Sequence, residues 1–346
     1  MTDNKPKTCI GFITYGQGTA KYLPFFLASL KEQTCFSDLK ILAIDNSERE
    51  ENENSTYLKN HFPEIELKWV GQNLGFAKAY NIMISQAIAE GAKYFIAVNP
   101  DMVLEPKFTE ELIKTIEQND KTGAIQPKIL KWDFENNKKT DQTDSYGIFI
   151  TKEHRFSDLK QGEKDNPPVK EVYEIFGFTG AAVIFRLEAL ADTAYFNGQY
   201  NEYFDELMFM YKEDCDLSYR LRLAGWKIFF EPKAVAFHDR SVSPVGESAI
   251  KIALNRKNKS QQVKKWSFLN QWILLLKIKD LPFSFRVKLA TDWYQLKSLI
   301  YAIIFEPYLL SEFLRLIKIR KEIGRRRETL KMRIDIKEIE KFMNGR

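Results

Sequence analysis

The chain has 346 residues, 44% hydrophobic and 14% aromatic, enough for one large α/β domain with an appendage or for two domains. Residues 1–250 carry 29 basic and 38 acidic side chains, a net charge of −9, whereas residues 251–346 carry 23 and 9, a net charge of +14. Cys9, Cys35 and Cys215 form no close pair and no C-x-x-C spacing, which counts against a disulfide scaffold or a cysteine-bound metal and favours a reducing cytoplasm.

The first half of the chain alternates short apolar runs with amphipathic helical patterns. The apolar runs predict strands at 10–13, 41–44, 66–70 and 94–98, and helices are predicted at 22–33, at 76–90 and from Pro106 onward. Repeating β-α units of this length predict an α/β fold, with a doubly wound, mostly parallel central sheet flanked by helices.

Polar residues stand directly after these predicted strands, at the positions where open α/β sheets bind their ligands. They are Thr14, Tyr15, Asp45, Asn46, Asn73, Asn99 and Asp101. No G-x-G-x-x-G follows the first strand and no G-x-x-x-x-G-K-[ST] occurs, which counts against a dinucleotide dehydrogenase and a P-loop nucleotide hydrolase.

Two segments in the middle of the chain leave alternatives open. Residues 131–172 are polar and rich in Lys, Asp, Asn and Gln, and they predict an insertion or a mobile loop region rather than a domain boundary. Gly180 and Ala181 precede an apolar run. Small residues there would let a ligand or a backbone approach closely, and close packing of a helix on the sheet explains them equally well.

The segment 211–239 carries the densest set of chemically active side chains. Glu213, Asp214 and Asp216 stand where a helix is predicted to begin, and His238 stands at the end of the strand that follows. Acidic side chains at a helix N-terminus favour the helix dipole, so simple capping is an alternative to a catalytic role.

These side chains divide into two chemical tasks. Asp101 and His238, each at the end of a predicted strand, could together hold Mn²⁺ or Mg²⁺ on substrate phosphates. Such an ion would neutralise a diphosphate leaving group. Asp214 or Glu213 would then be free to take a proton from an attacking hydroxyl as a general base.

From about residue 250 the pattern becomes helical and basic, with Trp266, Phe268 and Trp272 among lysines. The apolar run at 299–305 is far short of the ~20 residues needed to span a bilayer. Basic amphipathic helices with Trp and Phe predict a region that lies on an anionic membrane surface. The alternative is that these helices pack on the rest of the protein and leave their lysines in solvent.

Seven short motifs follow one another between residues 14 and 238. They are Thr14-Tyr15, Asp45-Asn46-Ser47, residues 73–81, Asn99-Pro100-Asp101, Gly180-Ala181-Ala182, residues 213–217 and His238. This ordered set resembles the inverting glycosyltransferases of family 2, which have the GT-A fold, in their rhamnosyltransferase-like branch. The resemblance covers roughly residues 8–240.

The resemblance implies a role for each motif. Asp214 would be the catalytic base with Glu213 in support, and Asp101 and His238 would bind Mg²⁺ or Mn²⁺. The residues implied to bind the nucleotide-sugar donor are Thr14, Tyr15, Asp45, Asn73, Gly75, Asn81 and Asn99. The residues implied to lie on the acceptor side are Gly180 and Ala181.

The implied reaction is an inverting displacement. A hydroxyl of a glycan or lipid-linked acceptor would attack the anomeric carbon of a nucleotide-diphosphate sugar, dTDP-rhamnose or a UDP-sugar, in cell-surface polysaccharide synthesis. Residues 1–245 would form the catalytic domain, with a donor-binding half at about 8–130 and an acceptor and catalytic half at about 172–245. Residues 246–346 would hold a cytoplasmic protein on the inner face of the plasma membrane.

Three other functions compete with this prediction. A catalytically idle relative could bind nucleotide sugars as the partner of another glycosyltransferase, although Asp101, Asp214 and His238 are all present. The basic aromatic C-terminal region could bind nucleic acid, but no nucleic-acid partner is expected. A nucleotidyltransferase would need a glycine-rich phosphate loop near the N-terminus, and none occurs there.

Overall fold

The computed structural model describes residues 7–240 and 260–343. The predicted domain boundary at residues 245 and 246 lies outside the described residues. The strands are β1 (Thr8–Thr14), β2 (Leu39–Asp45), β3 (Glu66–Trp69), β4 (Tyr94–Val98), β5 (Met102–Leu104), β6 (Thr122–Asp133), β7 (Lys138–Ser145), β8 (Ile148–Ile150), β9 (Phe156–Asp158), β10 (Tyr173–Glu174), β11 (Ala182–Arg186), β12 (Tyr195–Phe196), β13 (Asn201–Glu202) and β14 (Lys227–His238). The helices are α1 (Gly16–Ala20), α2 (Leu23–Lys31), α3 (Glu53–His61), α4 (Gly75–Ala89), α5 (Phe108–Glu117), α6 (Leu187–Thr193), α7 (Glu213–Leu223), α8 (Gln261–Ile278), α9 (Phe285–Phe305), α10 (Glu312–Glu328) and α11 (Ile336–Lys341), and 3₁₀ turns lie at Phe36–Asp38 and Pro307–Ser311.

Within the described residues, one ten-stranded sheet runs through the middle of the protein. Its main order is β10-β14-β6-β11-β4-β1-β2-β3, with β5 paired to β14 and β7 to β6. Strands β3, β2, β1 and β4 are parallel, β6 and β14 are parallel to each other, and β11 joins the two groups by running antiparallel to β4 and β6. The carboxyl ends of β1, β2 and β4 therefore meet at one edge of the sheet.

The apolar runs of the sequence become the buried strands of this sheet. All five residues of β4 are buried, as expected for a strand covered on both faces. One buried apolar cluster includes Phe95 and Ala97 and the other includes Tyr94, Ile96 and Val98, so alternate side chains of β4 enter the two layers on opposite faces of the sheet.

The sequence predicts an insertion or a mobile loop region at residues 131–172, and the structure corrects the mobile-loop alternative because much of this segment is strand. Strand β6 continues to Asp133, and β7, β8 and β9 follow it in antiparallel pairs. The pattern gave no strand signal because the buried end of β7 is polar: Thr143, Asp144 and Ser145 are all buried. Buried polar side chains of this kind are stabilised by hydrogen bonds and not by apolar contacts.

The C-terminal helices α8 and α10 pack on the body of the protein, residues 7–240. Tyr219 and Leu223 of α7 share one buried apolar cluster with Ile273 of α8 and Ile323 of α10. The same helices also make buried ion pairs. Lys277 pairs with Asp205 and Asp216, and Arg326 pairs with Asp205 and with Glu202 at 2.9 Å. Packing on the body, the alternative left open by the sequence, is therefore what α8 and α10 do.

Helix α9 differs because it leaves an apolar stripe in solvent. The exposed residues of this stripe recur every three or four positions from Phe285 to Ile303, with Ile304 beside the last, and are Phe285, Leu289, Trp293, Leu296, Ile300, Ile303 and Ile304. Their exposed fractions range from 47% to 78%. Exposed apolar surfaces of this kind commonly mark interaction sites. No helix in the described part of the chain combines the length and apolar composition needed to cross a bilayer.

Candidate active site

The residues that the resemblance implies for donor binding begin where β1 and β2 finish. Thr14 and Asp45 are register partners in the parallel pair, and the carbonyl of Thr14 accepts a 2.9 Å hydrogen bond from the N–H of Asn46. Asp45 is fully buried and accepts hydrogen bonds from the N–H of Ser47 at 3.0 Å and from the side chain of Asn52 at 2.6 Å. The Asp45 carboxylate therefore holds the loop after β2 in shape.

Thr14 and Tyr15 meet this loop from the end of β1. The Thr14 hydroxyl is buried and has no partner among the described residues, so it is available to a bound molecule. Tyr15 is 48% exposed, and the next residue, Gly16, donates its N–H to the hydroxyl of Ser47 at 3.0 Å. An exposed aromatic ring thus stands beside an orphaned hydroxyl at the sheet edge.

Asn73 and Gly75 shape the start of α4. Gly75 adopts a left-handed backbone with φ of +74°, and a Cβ there would clash with the carbonyl oxygen of Phe209. The side chain of Asn73 accepts the N–H of Gly75 at 2.9 Å, and the N–H of Phe76 donates to the Phe209 carbonyl at 3.0 Å. This motif therefore joins α4 to the segment that leads into α7.

Asn81 is buried on α4 with its amide fully engaged inside the protein. Its Nδ2 donates to the carbonyl of Phe204 at 2.8 Å and to Glu206 at 3.0 Å, and its Oδ1 accepts the N–H groups of Tyr203 and Phe204. No hydrogen-bonding group of the Asn81 side chain is left to contact a nucleotide-sugar donor. Any contribution of Asn81 to donor binding would come through the segment that it holds.

The Gly180-Ala181 pair connects the two carboxylate motifs. The carbonyl of Ala181 accepts the N–H of Asn99 at 2.8 Å, and the N–H of Gly180 donates to Oδ2 of Asp214 at 3.2 Å. A Cβ on Gly180 would lie 3.0 Å from the ring of Phe76. The turn after β4 and the start of α7 are thus brought together through one dipeptide, whose glycine leaves room for close packing.

Asp101 and His238 are adjacent, as the sequence motifs implied. Oδ2 of Asp101 lies 3.3 Å from Nε2 of His238, and Oδ2 of Asp144 accepts a hydrogen bond from Nδ1 of His238 at 2.8 Å. Burial by itself lowers the pKa of His238, but the carboxylates of Asp101 and Asp144 outweigh burial and raise this pKa to about 10. The imidazole is therefore clamped between two acids.

Sequence reasoning missed the charged residues behind His238. Arg240 lies 3.4 Å from Asp144 and donates to Asp158 at 2.7 Å. Burial opposes ionisation of Asp144, yet His238 and Arg240 hold the pKa of this carboxyl below its ordinary value. Asp144 and Asp158 fall in the segment predicted to be a loop, and only their position near a buried histidine could have identified them.

Tyr22 and Asp239 support the same edge of the site. The hydroxyl of Tyr22 donates to Oδ2 of Asp239 at 2.6 Å, and the N–H of Asp239 donates to the carbonyl of Asp101 at 3.1 Å. These bonds tie the end of β14 to the turn that carries Asp101. The position of His238 relative to Asp101 is therefore defined by backbone as well as side-chain contacts.

Asp214 is oriented at the start of α7 by two backbone groups. Its Oδ2 accepts the N–H of Gly180, and its Oδ1 accepts the N–H of Cys215 at 2.7 Å. Burial raises the pKa of Asp214 despite these bonds, and burial together with the Asp214 charge raises the pKa of Glu213 well above its ordinary value. An oriented carboxylate with a raised pKa is suited to accept a proton near neutral pH.

Asp216 makes structural ion pairs. Its carboxylate accepts a hydrogen bond from Arg220 at 2.9 Å and forms the buried ion pair with Lys277 of α8. The three acids at the start of α7 therefore have different surroundings. Asp216 is neutralised by two cations, whereas Oε2 of Glu213 is buried with no partner among the described residues.

The backbone before α7 is held in an uncommon conformation. Tyr211 and Lys212 have φ values of +73° and +68°, in the left-handed region that residues other than glycine seldom adopt. Asn270 of α8 donates to the carbonyls of Met210 and Tyr211 at 2.9 and 2.7 Å. A C-terminal helix therefore stabilises the strained backbone that leads into the candidate catalytic acids, a pattern common at functional sites.

Two side chains of this site suit a divalent cation. Oδ1 of Asp101 is buried without a partner among the described residues, and Nε2 of His238 is close to the other oxygen of the same carboxylate. No group of three or more His, Cys, Asp and Glu in the described residues could hold a metal. With Nε2 of His238 deprotonated by the binding of the ion, the pair would fit a cation that takes its remaining ligands from substrate phosphates, as Mg²⁺ commonly does.

Comparison with known proteins identifies the family. Residues 9–190 match the family model described as Glycosyl transferase family 2, which is more than half of the chain. The chain belongs to glycosyltransferase family 2. The match ends before α7 and β14, so the roles of Asp214 and His238 depend on the geometry described above.

Two curated relatives are similar over most of this glycosyltransferase. They are the N-acetylglucosaminyl-diphospho-decaprenol L-rhamnosyltransferases of Mycobacterium tuberculosis strains CDC 1551 / Oshkosh and ATCC 25618 / H37Rv. Each is 26% identical over 276 residues, which are 75% of this chain and 83% of the relative. The similarity agrees with the rhamnosyltransferase-like branch of the family.

Among solved structures, the crystal structure of GalNAc-T7 with UDP, GalNAc and Mn²⁺ superposes with a TM-score of 0.52. The sequences are 14% identical, and the alignment covers 89% of this chain and 58% of that one. The chain thus spans less than two thirds of the length of that structure. At this identity the likeness is one of fold, and it agrees with the predicted GT-A architecture.

Proposed function

We propose that this glycosyltransferase is inverting and metal-dependent, and that it transfers a sugar from a nucleotide-diphosphate donor to a hydroxyl of a lipid-linked acceptor. One observation carries the proposal. The Gly180-Ala181 dipeptide hydrogen-bonds both to Asn99, two residues before Asp101, and to Asp214. A potential leaving-group site and a potential base therefore lie on either side of one dipeptide.

Asp214 is the catalytic base in this proposal. Two backbone N–H groups orient its carboxylate, and its raised pKa lets it accept the proton of the acceptor hydroxyl as that oxygen attacks the anomeric carbon. General-base catalysis of this kind typically contributes 10²–10⁴-fold in rate. Attack from the face opposite the leaving diphosphate inverts the configuration at that carbon. Glu213 supports Asp214 as an adjacent buried acid.

Asp101 and His238 would hold Mg²⁺ or Mn²⁺ together with the donor diphosphate. A bound ion would supply positive charge to the phosphate oxygens as the glycosidic bond to them breaks. Asp144 positions the imidazole of His238 through Nδ1, which leaves Nε2 directed at Asp101. The donor itself is proposed to contact Thr14, Tyr15, Asp45, Asn73, Gly75 and Asn99, with Asn81 acting through the segment 203–206.

The substrates follow from the curated relatives. Their name specifies an L-rhamnosyl group and an N-acetylglucosaminyl-diphospho-decaprenol acceptor. We therefore propose dTDP-rhamnose as the first donor to test, with UDP-sugars as the alternative. For the acceptor we propose a sugar linked through diphosphate to a polyprenol, in the synthesis of a cell-surface polysaccharide.

The α9 stripe is the proposed contact with an anionic membrane surface, where such an acceptor resides. Exposed cations accompany its apolar side chains on the same helix, among them Arg286, Lys288 and Lys297. Apolar side chains inserted at the level of the lipid head groups, with cations beside them, match a protein that lies on a membrane. The chain would then act from the cytoplasmic face of the plasma membrane.

A substrate screen tests the reaction. The purified chain is incubated with dTDP-rhamnose and with UDP-hexoses, each with and without Mn²⁺ or Mg²⁺, and with N-acetylglucosaminyl-diphospho-polyprenol as acceptor. Transfer that depends on the metal, with inverted configuration in the product by NMR, is the expected result. Donor binding without hydrolysis or transfer for any pair would instead indicate a catalytically idle partner of another glycosyltransferase.

A further inference from the structure

Two adjoining cavities lie between α8, α9 and the body of the protein. The smaller, which we call the polar cavity, has a volume of about 180 Å³, and the larger, which we call the apolar cavity, has a volume of about 470 Å³. His154, Trp272 and Gln295 line both of them. A molecule bound in one cavity could therefore continue into the other.

The polar cavity contains two cations next to the candidate catalytic acids. Lys212, which immediately precedes Glu213 in the sequence, lines this cavity. Arg155, which follows His154 in the sequence, lines it as well. Neither side chain makes an ion pair within residues 7–240 and 260–343. Lys212 lies over the ring of Phe156 at 5.1 Å and Arg155 over the ring of Tyr294 at 5.4 Å. Burial lowers the pKa of Lys212 while the charge of Asp214 raises it, so an anion bound here would favour the charged form of this lysine.

The wall shared by the two cavities carries unpaired polar atoms. His154 is 3% exposed and Gln295 is 7% exposed, and Nε2 of each lacks a hydrogen-bond partner in the part of the chain that the structure describes. Nδ1 of His154 is 2.8 Å from the hydroxyl of Thr291, which fixes the ring. Buried polar groups are rarely left unpaired, so these two atoms indicate a ligand that supplies partners.

The apolar cavity leads from this wall to the exposed stripe of α9. Its hydrocarbon lining comes from both helices and from the turn between them, and includes Leu275, Leu276, Phe283, Val287, Leu296 and Leu299. Leu296 belongs to this lining and also to the stripe, where it is 47% exposed. The apolar surface therefore continues from the inside of the cavity to the outside of α9.

The order of these features matches one class of molecule. The carboxylate of Asp214 follows Lys212 by two residues in the chain, and the polar cavity lined by Lys212 and Arg155 adjoins a hydrocarbon-lined cavity that opens onto an apolar surface. A sugar linked through diphosphate to a polyprenol has a hydroxyl, two negative charges and a hydrocarbon chain in the same order. Arg and Lys are the side chains best suited to hold the diphosphate oxygens.

We propose that Lys212 and Arg155 bind the diphosphate of the lipid-linked acceptor and that the start of its polyprenyl chain occupies the apolar cavity, leaving along α9. The inference rests on the proposed function for the identity of the acceptor, and it adds the site where that acceptor binds. It also gives α8 and α9 a direct part in substrate recognition.

Binding of farnesyl diphosphate to the full chain tests the site, with farnesol as the probe that lacks the diphosphate. R155Q and K212Q should each weaken farnesyl diphosphate binding by about tenfold, the loss of one charge-assisted hydrogen bond, and leave farnesol binding unchanged. L299W, which fills the apolar cavity, should weaken the binding of both probes. K114Q, an exposed lysine on α5, is the matched control and should bind as the wild type does. Wild-type affinity for farnesyl diphosphate in both R155Q and K212Q would overturn the proposal.

A second measurement needs no variant, in case one fails to fold. A photoactivatable farnesyl diphosphate analogue should crosslink the wild-type chain within residues 272–299, and crosslinks confined to other peptides would refute the site. Donor hydrolysis by the wild-type chain, assayed without acceptor, reports on the proposed function alone. Loss of hydrolysis with intact, Arg155-dependent probe binding would refute the reaction and support the site. Donor hydrolysis without Arg155-dependent binding of the probe would support the reaction and refute the site.

Discussion

Oδ2 of Asp144 accepts a hydrogen bond from Nδ1 of His238 at 2.8 Å, across 94 residues of sequence. This contact orients the imidazole so that Nε2 points toward Asp101. A carboxylate behind a metal-binding histidine fixes the ring and its protonation pattern. Asp144 is therefore a positioning residue for the proposed metal site, although it lies in a segment that the sequence predicts to be a loop.

D144N should weaken binding of Mn²⁺ in the presence of nucleoside diphosphate by about 10–100-fold, the usual effect of removing such a partner. The measurement is a Mn²⁺ titration followed by electron paramagnetic resonance, with thermal unfolding recorded in parallel. D141N, an exposed acid on the same strand, is the matched control. Equal Mn²⁺ affinity in D144N and D141N would contradict the positioning role.

D214N should retain donor binding and lose transfer by about 10²–10⁴-fold, because the amide cannot accept the acceptor proton. Donor affinity by calorimetry and the transfer rate under saturating donor separate the two effects. E188Q removes an acid from the first turn of α6 and so controls for simple helix capping. If D214N and E188Q transferred sugar at the same rate, capping would be the role of Asp214.

As the pH is lowered, the rate of transfer should be lost at a higher pH than it would be if the catalytic base had the pKa of an ordinary aspartate. Asp214 must be ionised to act as a base, and burial raises its pKa, so activity is lost as pH falls through that raised pKa. An unperturbed aspartate titrates at about 3.9. The measurement is kcat/KM against pH with metal held in excess. An acid limb centred at or below about 3.9 would be inconsistent with Asp214 as the base.

K277M should destabilise the protein by about 3–5 kcal/mol, since it leaves the buried carboxylates of Asp205 and Asp216 without one of their cations. Urea unfolding measures the change in the free energy of unfolding. K114M, at an exposed position on α5, should change this free energy by less than about 0.5 kcal/mol. A loss for K277M no larger than that of K114M would show that the buried pairs do not hold α8 on the body.

Replacing Leu289, Trp293 and Ile300 together by serine should abolish binding to vesicles that contain anionic lipid, because it removes the centre of the exposed α9 stripe. Cosedimentation at low and moderate salt gives the bound fraction. F196S, which removes an exposed aromatic ring on the body, is the control and should bind as the wild type does. Unchanged binding of the triple variant, or no binding by the wild type, would contradict the proposed membrane contact through α9.

The sequence alone predicted the repeating strands of the central sheet and the helices that alternate with them along the chain. The predicted strand 94–98 coincides with Tyr94–Val98, and the helix predicted from the acids at 213 begins at Glu213. Such elements follow from local patterns: continuous apolar runs for strands buried on both faces, and a 3.6-residue period with a terminating glycine for helices. The polar ends of these strands also indicated which residues to expect in the site.

What the sequence determined by itself was the family, the α/β architecture and the chemical types at the strand ends, because these are local or ordered along the chain. Only the tertiary structure decided which distant groups meet. Asp144 and His238 are brought together by strand pairing, and Lys277 and Asp216 by helix packing. A polar side chain looks the same in sequence whether it faces solvent or a buried partner. Its role is set by that partner, which local patterning does not encode.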